Sequence, residues 1–375
     1  MAQPLLEVVD LNVSFRTDDG PVQAVRGVNL SVGAGEVLAV VGESGSGKSV
    51  TAMSLLQLLP PTAEITGTVT WQGEDLLQVP AARIRQVRGG EIAMIFQDPL
   101  TALNPVYRVG DQIVEMILAH EKVSRAQARI RAVEMLDLVG IPQPERRVRQ
   151  YTHEFSGGMR QRAMIAVALA CNPQLIIADE PTTALDVTVQ AQVLEVLTDL
   201  AHRLGTAVVL ITHDLGVVAG MADQVSVMYA GRIVESGSVD HVFDDTGHPY
   251  TAGLLTSLPR LDGDVDQPLV PIAGQPPSML APPPGCSFHP RCRWATEAAG
   301  CFSVVPPVTE RSPGHVSACH RARELTEANL LDREVLVAVA MGAAPADPAG
   351  HADPADPASR QAMSETVTDG GGTAP

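Results

Sequence analysis

The spacing of apolar residues predicts strands in several stretches of the chain. Apolar runs at 36–41, 175–178 and 208–212 are continuous, which is typical of short strands buried in a parallel sheet. Residues 5–35 and 65–73 instead alternate apolar and polar side chains, which indicates a small antiparallel sheet. The chain is therefore predicted to be an α/β protein with an additional antiparallel sheet.

Helical periodicity marks other parts of the chain. It dominates residues 98–155, as in VGDQIVEMILAH and ARIRAVEMLDLVG, and shorter helices are predicted at 50–59 and 159–170. The stretch 225–237 is typical of a β-hairpin that turns at Gly231.

A glycine-rich loop, GESGSGKS, joins the strand at 36–41 to the helix at 50–59. Its glycines allow backbone conformations that other residues resist, so that N–H groups can approach phosphate oxygens. Lys48 is expected to reach the outer phosphates and Ser49 to offer its hydroxyl to Mg²⁺, while the helix N-terminus favours the phosphate charge. The alternative is a glycine- and serine-rich turn that binds nothing. The nucleotide-binding residues predicted in this phosphate loop are Gly42, Glu43, Ser44, Gly45, Ser46, Gly47, Lys48 and Ser49.

Two carboxylates, Asp179 and Glu180, end the strand predicted at 175–178. Open α/β sheets bind ligands at the carboxyl ends of their strands. Asp179 suits a Mg²⁺ ligand, directly or through water, because Mg²⁺ prefers hard oxygen ligands and keeps several waters. Glu180 is placed to polarise the water that attacks a phosphate. Acidic residues also cap strand ends, which is the structural alternative.

A third segment, FSGGMRQR from Phe155, completes a set that resembles the ATP-binding subunits of ABC transporters over about residues 5–325. The resemblance implies a P-loop NTPase cassette with an antiparallel β subdomain, a helical subdomain at about 98–160, and ATP and Mg²⁺ as cofactors. It also implies that the cassette, as a nucleotide-binding domain, spans residues 5–245.

The start of this segment, FSGGM at 155–159, resembles the family's signature sequence, usually LSGGQ, and departs from it at its first and last residues. In the family, the signature of one subunit contacts the γ-phosphate held by the other, at the N-terminus of a helix. A monomer is therefore expected to hydrolyse ATP poorly. The signature residues carried over by the resemblance are Ser156, Gly157 and Gly158.

Four more residues match family motifs in the expected order. Gln97 in IFQDP resembles the Q-loop glutamine, which touches Mg²⁺ or the attacking water, and Asp186 in TTALD resembles the D-loop aspartate that crosses the dimer. His213 in LITHD resembles the switch histidine that contacts the γ-phosphate. Phe15 is either the family's A-loop aromatic, stacking on adenine, or a buried core residue of an alternating strand.

Composition and charge exclude some functions. The chain has 375 residues, with 26 basic and 43 acidic side chains and a formal net charge of −17, which argues against binding nucleic acid. No run of 18 apolar residues occurs, and the N-terminus has no basic start followed by an apolar core. The sequence therefore predicts neither a transmembrane span nor a signal peptide, so partner chains would supply any membrane helices.

A C-terminal extension at 246–325 narrows the resemblance. GHPYTAGLLTSLP, IAGQPPSM and PPGCSFHPRC resemble the extension of dipeptide, oligopeptide and nickel importers, and the high proline content predicts an extended segment on the core. From about residue 343 the chain is rich in Ala, Pro, Asp and Gly, which predicts a disordered tail at 343–375.

The extension contains four of the five cysteines. A structural disulfide is disfavoured in a reducing cytosol, so a cluster of thiols points first to a metal. Members of the resembling dipeptide subfamily carry a [4Fe-4S] cluster on this extension, which implies such a cluster at Cys286, Cys292, Cys301 and Cys319. Zinc, with His289 or His320, and four free thiols are the alternatives. Cys171 is expected to be a small core residue.

The resemblance implies an ATPase that energises peptide import from the cytoplasmic face of the cell membrane. Its expected partners are two transmembrane permease subunits, a related second ATP-binding subunit and an extracytoplasmic solute-binding protein. Nickel or glutathione are alternative solutes, because this subunit does not touch the solute. A soluble ABC ATPase acting on DNA or ribosomes is disfavoured by the acidic charge, the single cassette and the lack of sustained heptads.

Overall fold

Two β-sheets with helices packed around them build the part of the protein that the structure, a computed structural model, describes: residues 3–182, 186–257, 271–332 and 335–336. The elements up to the signature segment are β1 (Leu6–Thr17), β2 (Gly20–Val32), β3 (Val37–Val41), α1 (Lys48–Leu55), β4 (Ala63–Trp71), β5 (Glu74–Asp75), α2 (Ala81–Gly90), β6 (Ile92–Ile95), α3 (Pro99–Ala102), α4 (Val109–His120), α5 (Arg125–Leu138) and α6 (Pro144–Arg147). The later elements are α7 (Gly157–Leu169), β7 (Leu175–Asp179), α8 (Val187–Leu204), β8 (Ala207–Thr212), α9 (Leu215–Met221), β9 (Gln224–Tyr229), β10 (Arg232–Ser238), α10 (Val239–Asp244), α11 (Pro249–Thr256), β11 (Thr309–Ser312), β12 (His315–Ser317) and α12 (Ala322–Glu327).

The smaller sheet is antiparallel and has the strand order β2-β1-β4-β5 within the described residues. Alternate side chains of β1 enter the core, with Leu6, Val8, Leu11 and Val13 all buried, as the period of two predicts. The pairing of β1 with β2 shifts register between Val8 and Leu11, so a bulge interrupts the alternation there. The predicted antiparallel sheet is confirmed.

The larger sheet has the order β11-β12-β10-β9-β3-β8-β7-β6 in the part of the chain described. Its centre is parallel, with β3 between β8 and β9 and with β7 between β8 and β6. All residues of β3, β7 and β8 are buried, which explains their uninterrupted apolar runs. In register, Val41 pairs with Thr212 and Asp179 with Ile211, so these strands end at one edge of the sheet.

Helices form where the periodicity of 98–155 predicts them. Helices α4 and α5 pack against each other and against α7, burying Ile113, Ile117 and Leu136 in a core that reaches the sheet. A capping box begins α5, because Ser124 accepts a hydrogen bond from the Gln127 N–H while the Gln127 side chain accepts one from the Ser124 N–H.

The predicted hairpin is confirmed: β9 and β10 pair antiparallel around Gly231, whose φ of +78° suits glycine.

Residues after 245 add to the larger sheet and cover one side of it. β12 pairs with β10 and β11 with β12, so the C-terminal extension continues the sheet. The helices in the described part of the chain contain no apolar stretch that could span a bilayer. The tail predicted at 343–375 lies outside the described residues.

Candidate active site

The phosphate loop joins the end of β3 to the start of α1. Gly47 is the N-cap of α1 at φ +107°, and a Cβ there would lie 2.4 Å from the Ala24 carbonyl oxygen, so only glycine fits. Lys48 Nζ donates hydrogen bonds to the carbonyl oxygens of Gly42 at 2.8 Å and Glu43 at 3.0 Å. Burial lowers the pKa of Lys48, against the opposing effect of nearby carboxylates.

Two oxygen donors lie together beside the loop. The Ser49 hydroxyl donates a hydrogen bond of 2.9 Å to Asp179 Oδ1, which joins the first residues of α1 to the end of β7. Burial raises the pKa of Asp179, while this hydrogen bond and Lys48 oppose the rise. Hydroxyl and carboxylate oxygens are ligands that Mg²⁺ prefers, so Ser49 and Asp179 fit the predicted Mg²⁺ site. The buried Ser46 Oγ has no hydrogen-bond partner in the described structure, which fits a loop that takes a phosphate.

Glu180 lies at the centre of a second group of side chains. Gln97 Nε2 donates to Glu180 Oε2 at 3.0 Å, and His213 Nδ1 lies 3.6 Å from the same oxygen. The Glu180 backbone has a φ of +45°, in the left-handed region that costs a non-glycine residue about 1 kcal/mol or more. Its N–H donates to the Ile211 carbonyl oxygen at 2.9 Å, which holds this conformation at the edge of the sheet.

Most of these groups line one cavity of about 670 Å³, although Asp179 is not among its lining residues. Phe15 is not among the lining residues; it is partly buried and packs on the core between the two sheets, and its stacking on adenine stays a prediction. Its cross-strand neighbour Val22 lines the cavity instead, together with Met279 from the C-terminal extension. Of the predicted site residues, those on the cavity wall are Ser44, Gly45, Gly47, Lys48, Ser49, Gln97, Glu180 and His213.

The signature segment lies at a different cavity, of about 450 Å³. Ser156 is the N-cap of α7 and accepts a hydrogen bond from the Met159 N–H, while a Cβ at Gly158 would lie 2.5 Å from Val189 Cγ1 of α8. Asp186, predicted to act at the nucleotide, lines this second cavity and caps α8 through the Val189 N–H. No residue lines both cavities among those described.

Comparisons with known proteins identify the family. A family model described as an ABC transporter matches residues 25–183, and a model of the oligopeptide/dipeptide transporter C-terminal region matches residues 234–301. The oligopeptide transport ATP-binding protein OppD of Bacillus subtilis (strain 168) is 54% identical over 313 residues, which cover 83% of this chain and 87% of that protein. The chain belongs to the ATP-binding subunits of the oligopeptide/dipeptide ABC transporters.

Other members of this family match over similar lengths. OppD of Escherichia coli (strain K12) is 50% identical over 86% of this chain and 95% of its own length. The dipeptide transport protein DppD of Bacillus subtilis is 51% identical over 84% of this chain and 94% of its own length. A solved dimeric ATP-binding cassette in a post-hydrolysis state, bound to ADP and phosphate, has a TM-score of 0.57 and 26% identity, covering 62% of this chain and 98% of that one. The predicted ABC cassette fold is thereby confirmed.

The prediction of an iron–sulfur cluster in this ABC subunit is wrong. The four cysteines of the C-terminal extension line a cavity of only about 20 Å³, which has room for about one water molecule. Burial raises the pKa of Cys292 and raises that of Cys319 to about 12. Within the described ranges no group of three or more His, Cys, Asp or Glu residues could hold a metal ion. The zinc alternative is not supported by the described residues either, and Cys286, Cys292, Cys301 and Cys319 form no disulfide in the structure.

Two residues of the C-terminal extension reach the phosphate loop, and sequence reasoning did not find them. The Glu43 N–H donates to the Tyr250 hydroxyl oxygen at 2.8 Å, and Arg291 forms an ion pair with the Glu43 carboxylate, with Nη1 at 2.6 Å from Oε2. Glu43 and Arg291 are 248 positions apart, so no local pattern connects them. The segments GHPYTAGLLTSLP and PPGCSFHPRC contain both extension residues, but their resemblance concerns the subfamily and not this contact.

Proposed function

We propose that the protein is the ATP-hydrolysing subunit that energises import of oligopeptides or dipeptides through partner permeases. The observation that carries this proposal is the convergence of Lys48, Glu180 and His213 on one cavity in a chain of the peptide-transporter family. The names of the relatives, which describe oligopeptide and dipeptide transport, support the solute class.

The phosphate loop would hold the triphosphate through its backbone N–H groups and Lys48. Ser49 and Asp179 are the residues that would hold Mg²⁺, which neutralises charge on the phosphates when bound. Water then attacks the γ-phosphorus, the bond from that phosphorus to the oxygen bridging to ADP breaks, and Glu180 accepts the proton of the water. Gln97, which donates a hydrogen bond to Glu180, would contact Mg²⁺ or the attacking water. His213 would contact the γ-phosphate.

Complete sites would form between two subunits. The signature residues face a cavity that shares no lining residue with the phosphate-loop cavity in the described structure, so one chain does not bring them together. Ser156 and the α7 N-terminus would instead contact the γ-phosphate in a partner, with Asp186 beside them. The partner is a related second ATP-binding subunit, as expected from the resemblance.

The division of the chain follows from these roles. We assign residues 5–245 to the nucleotide-binding domain, with its helical subdomain at about 98–160, and residues 246–325 to the C-terminal extension. In cells the protein would lie on the cytoplasmic face of the membrane, bound to two permease subunits. An extracytoplasmic solute-binding protein would deliver the solute to these permeases. Nickel or glutathione import remains the alternative within this class, because no residue of this chain is expected to touch the solute.

Purification together with partner permeases tests the proposal. ATPase activity of the assembly should rise when the solute-binding protein and an oligopeptide or dipeptide are added. Stimulation by nickel or glutathione, with none by peptides, would replace the solute class and leave the ATPase in place. A chain that does not enrich with membranes when the permeases are present would favour a soluble ABC ATPase.

A further inference from the structure

The phosphate loop carries a negative charge at a place where anions bind. Glu43 is the second residue of the loop, and its side chain is only 27% exposed. The Glu43 carboxylate is close enough to Lys48 to act on the charge of its ammonium group, so it would also repel a triphosphate held by Lys48 unless another charge compensates.

Arg291 supplies the compensating charge from the C-terminal extension. Its Nη1 lies 2.6 Å from Glu43 Oε2 and its Nη2 lies 3.0 Å from Oε1, which is a bidentate ion pair. The Arg291 side chain is 3% exposed. Such a pair is both stronger and more directional than a surface ion pair.

Contacts with the extension backbone and with two aromatic rings hold the Arg291 side chain in the position from which it pairs with Glu43. Arg291 Nε donates to the Ala273 carbonyl oxygen at 2.9 Å, and Nη2 donates to that of Ile272 at 3.2 Å. The guanidinium carbon lies 5.9 Å from the centre of the Tyr229 ring and 6.0 Å from that of Phe288. The guanidinium is therefore aimed at Glu43 by the backbone of the extension and by two aromatic rings.

A second contact holds the same loop residue. The Glu43 N–H donates to the Tyr250 hydroxyl oxygen at 2.8 Å, and the Tyr250 ring packs on Tyr229 at 4.5 Å between ring centres. Side chain and backbone of Glu43 are thus both held by groups outside the loop, while its carbonyl oxygen accepts from Lys48.

We propose that Arg291 is a positioning residue for ATP binding: it neutralises Glu43 and fixes the phosphate loop, so that the C-terminal extension is part of the nucleotide site. The proposal rests on the proposed ATPase function. It makes the affinity for ATP depend on a residue outside the cassette.

Equilibrium binding of a fluorescent ATP analogue to the purified full-length chain tests the proposal. Arg291→Ala should weaken binding on the order of tenfold, because it leaves the Glu43 carboxylate unpaired beside the phosphates. Glu43→Gln alone should weaken binding less, since it leaves no negative charge. The double variant Arg291→Ala/Glu43→Gln should bind more tightly than Arg291→Ala. A merely structural role of Arg291 predicts no such recovery, so its absence would overturn the proposal.

Arg311→Ala is the matched control. Arg311 is another arginine of the extension, partly buried and paired to the half-exposed carboxylate of Asp245, with Nη2 at 3.1 Å from Oδ1, and it lies outside the nucleotide cavity. This variant should keep the affinity of the unmodified protein, and an equal loss in both variants would contradict the proposal. If Arg291→Ala does not fold, faster hydrogen exchange of the loop amides in Glu43→Gln than in Arg311→Ala supports it, and equal exchange overturns it. Failure of the unmodified chain to bind the analogue would refute the ATPase function itself.

Discussion

Glu180 is the residue on which hydrolysis is expected to depend. In the proposed mechanism its carboxylate accepts the proton of the attacking water, and an amide cannot do so. Glu180→Gln should therefore keep ATP binding and slow turnover by roughly 10²- to 10⁴-fold, measured as phosphate release by the assembled transporter. ATP-bound dimers should accumulate in size-exclusion chromatography. Near-normal turnover of the assembled variant would remove Glu180 from this role.

Lys48 affects an earlier step than Glu180 does. Its ammonium group is buried beside the loop and is expected to contact the outer phosphates. Lys48→Ala should weaken ATP binding itself by roughly tenfold or more, because a charge-assisted contact is lost. Titration of a fluorescent ATP analogue measures this loss, with Glu180→Gln as the variant that keeps binding. Equal affinities of Lys48→Ala and the unmodified chain would contradict the assignment.

At the scale of elements, the start of α11 makes stability depend on pH. Its N-cap, His248, is 1% exposed, and Nδ1 accepts a hydrogen bond from the Tyr250 N–H at 3.0 Å. Burial lowers the pKa of His248 to about 3. As the pH falls below the unfolded-state pKa of about 6.5, the unfolded chain binds a proton that the folded chain does not. The contribution of neutral His248 to the free energy of unfolding is therefore fully present above about pH 6.5 and is lost as the pH falls towards 3.

The variant His248→Asn tests this coupling, because asparagine can still cap the helix. Between about pH 7.5 and 5.5 its free energy of unfolding should fall by roughly 1.4 kcal/mol less than that of the unmodified protein, measured by urea denaturation. His153→Asn, at an exposed histidine, is the control and should follow the unmodified protein. Parallel pH profiles of His248→Asn and the unmodified protein would show that the histidine is protonated in the fold.

At the scale of the whole molecule, activity should require a second subunit. The phosphate loop and the signature segment line separate cavities, so each ATP would need residues from two chains. The turnover per chain should fall as the isolated protein is diluted, because dimers dissociate, and should rise when the related ATP-binding subunit is added. Phosphate release at a series of protein concentrations measures this. A rate per chain that stays constant on dilution would contradict a shared site.

The sequence predicts much of the catalytic chemistry because the reacting groups lie in short contiguous segments. GESGSGKS follows a buried strand and precedes a helix, and Asp179 and Glu180 end a strand, so local order alone brings each group to the same edge of a sheet. The resemblance to the ABC family then predicts that Gln97 and His213 lie at the same site. The structure places both within reach of the Glu180 carboxylate, at 3.0 Å for Gln97 and 3.6 Å for His213.

The sequence by itself determined most of the strands, the phosphate loop and the family, because hydrophobic period and loop chemistry are local properties. It did not predict β5, β6, β11 or β12. Only the tertiary structure decided which distant segments touch. It packed Phe15 on the core and placed Met279 on the cavity wall. It placed the four cysteines of the extension around a cavity too small for the predicted cluster and paired Arg291 with Glu43 across 248 positions. Burial and pairing of this kind depend on how the C-terminal extension packs on the sheet, which no spacing within a segment encodes.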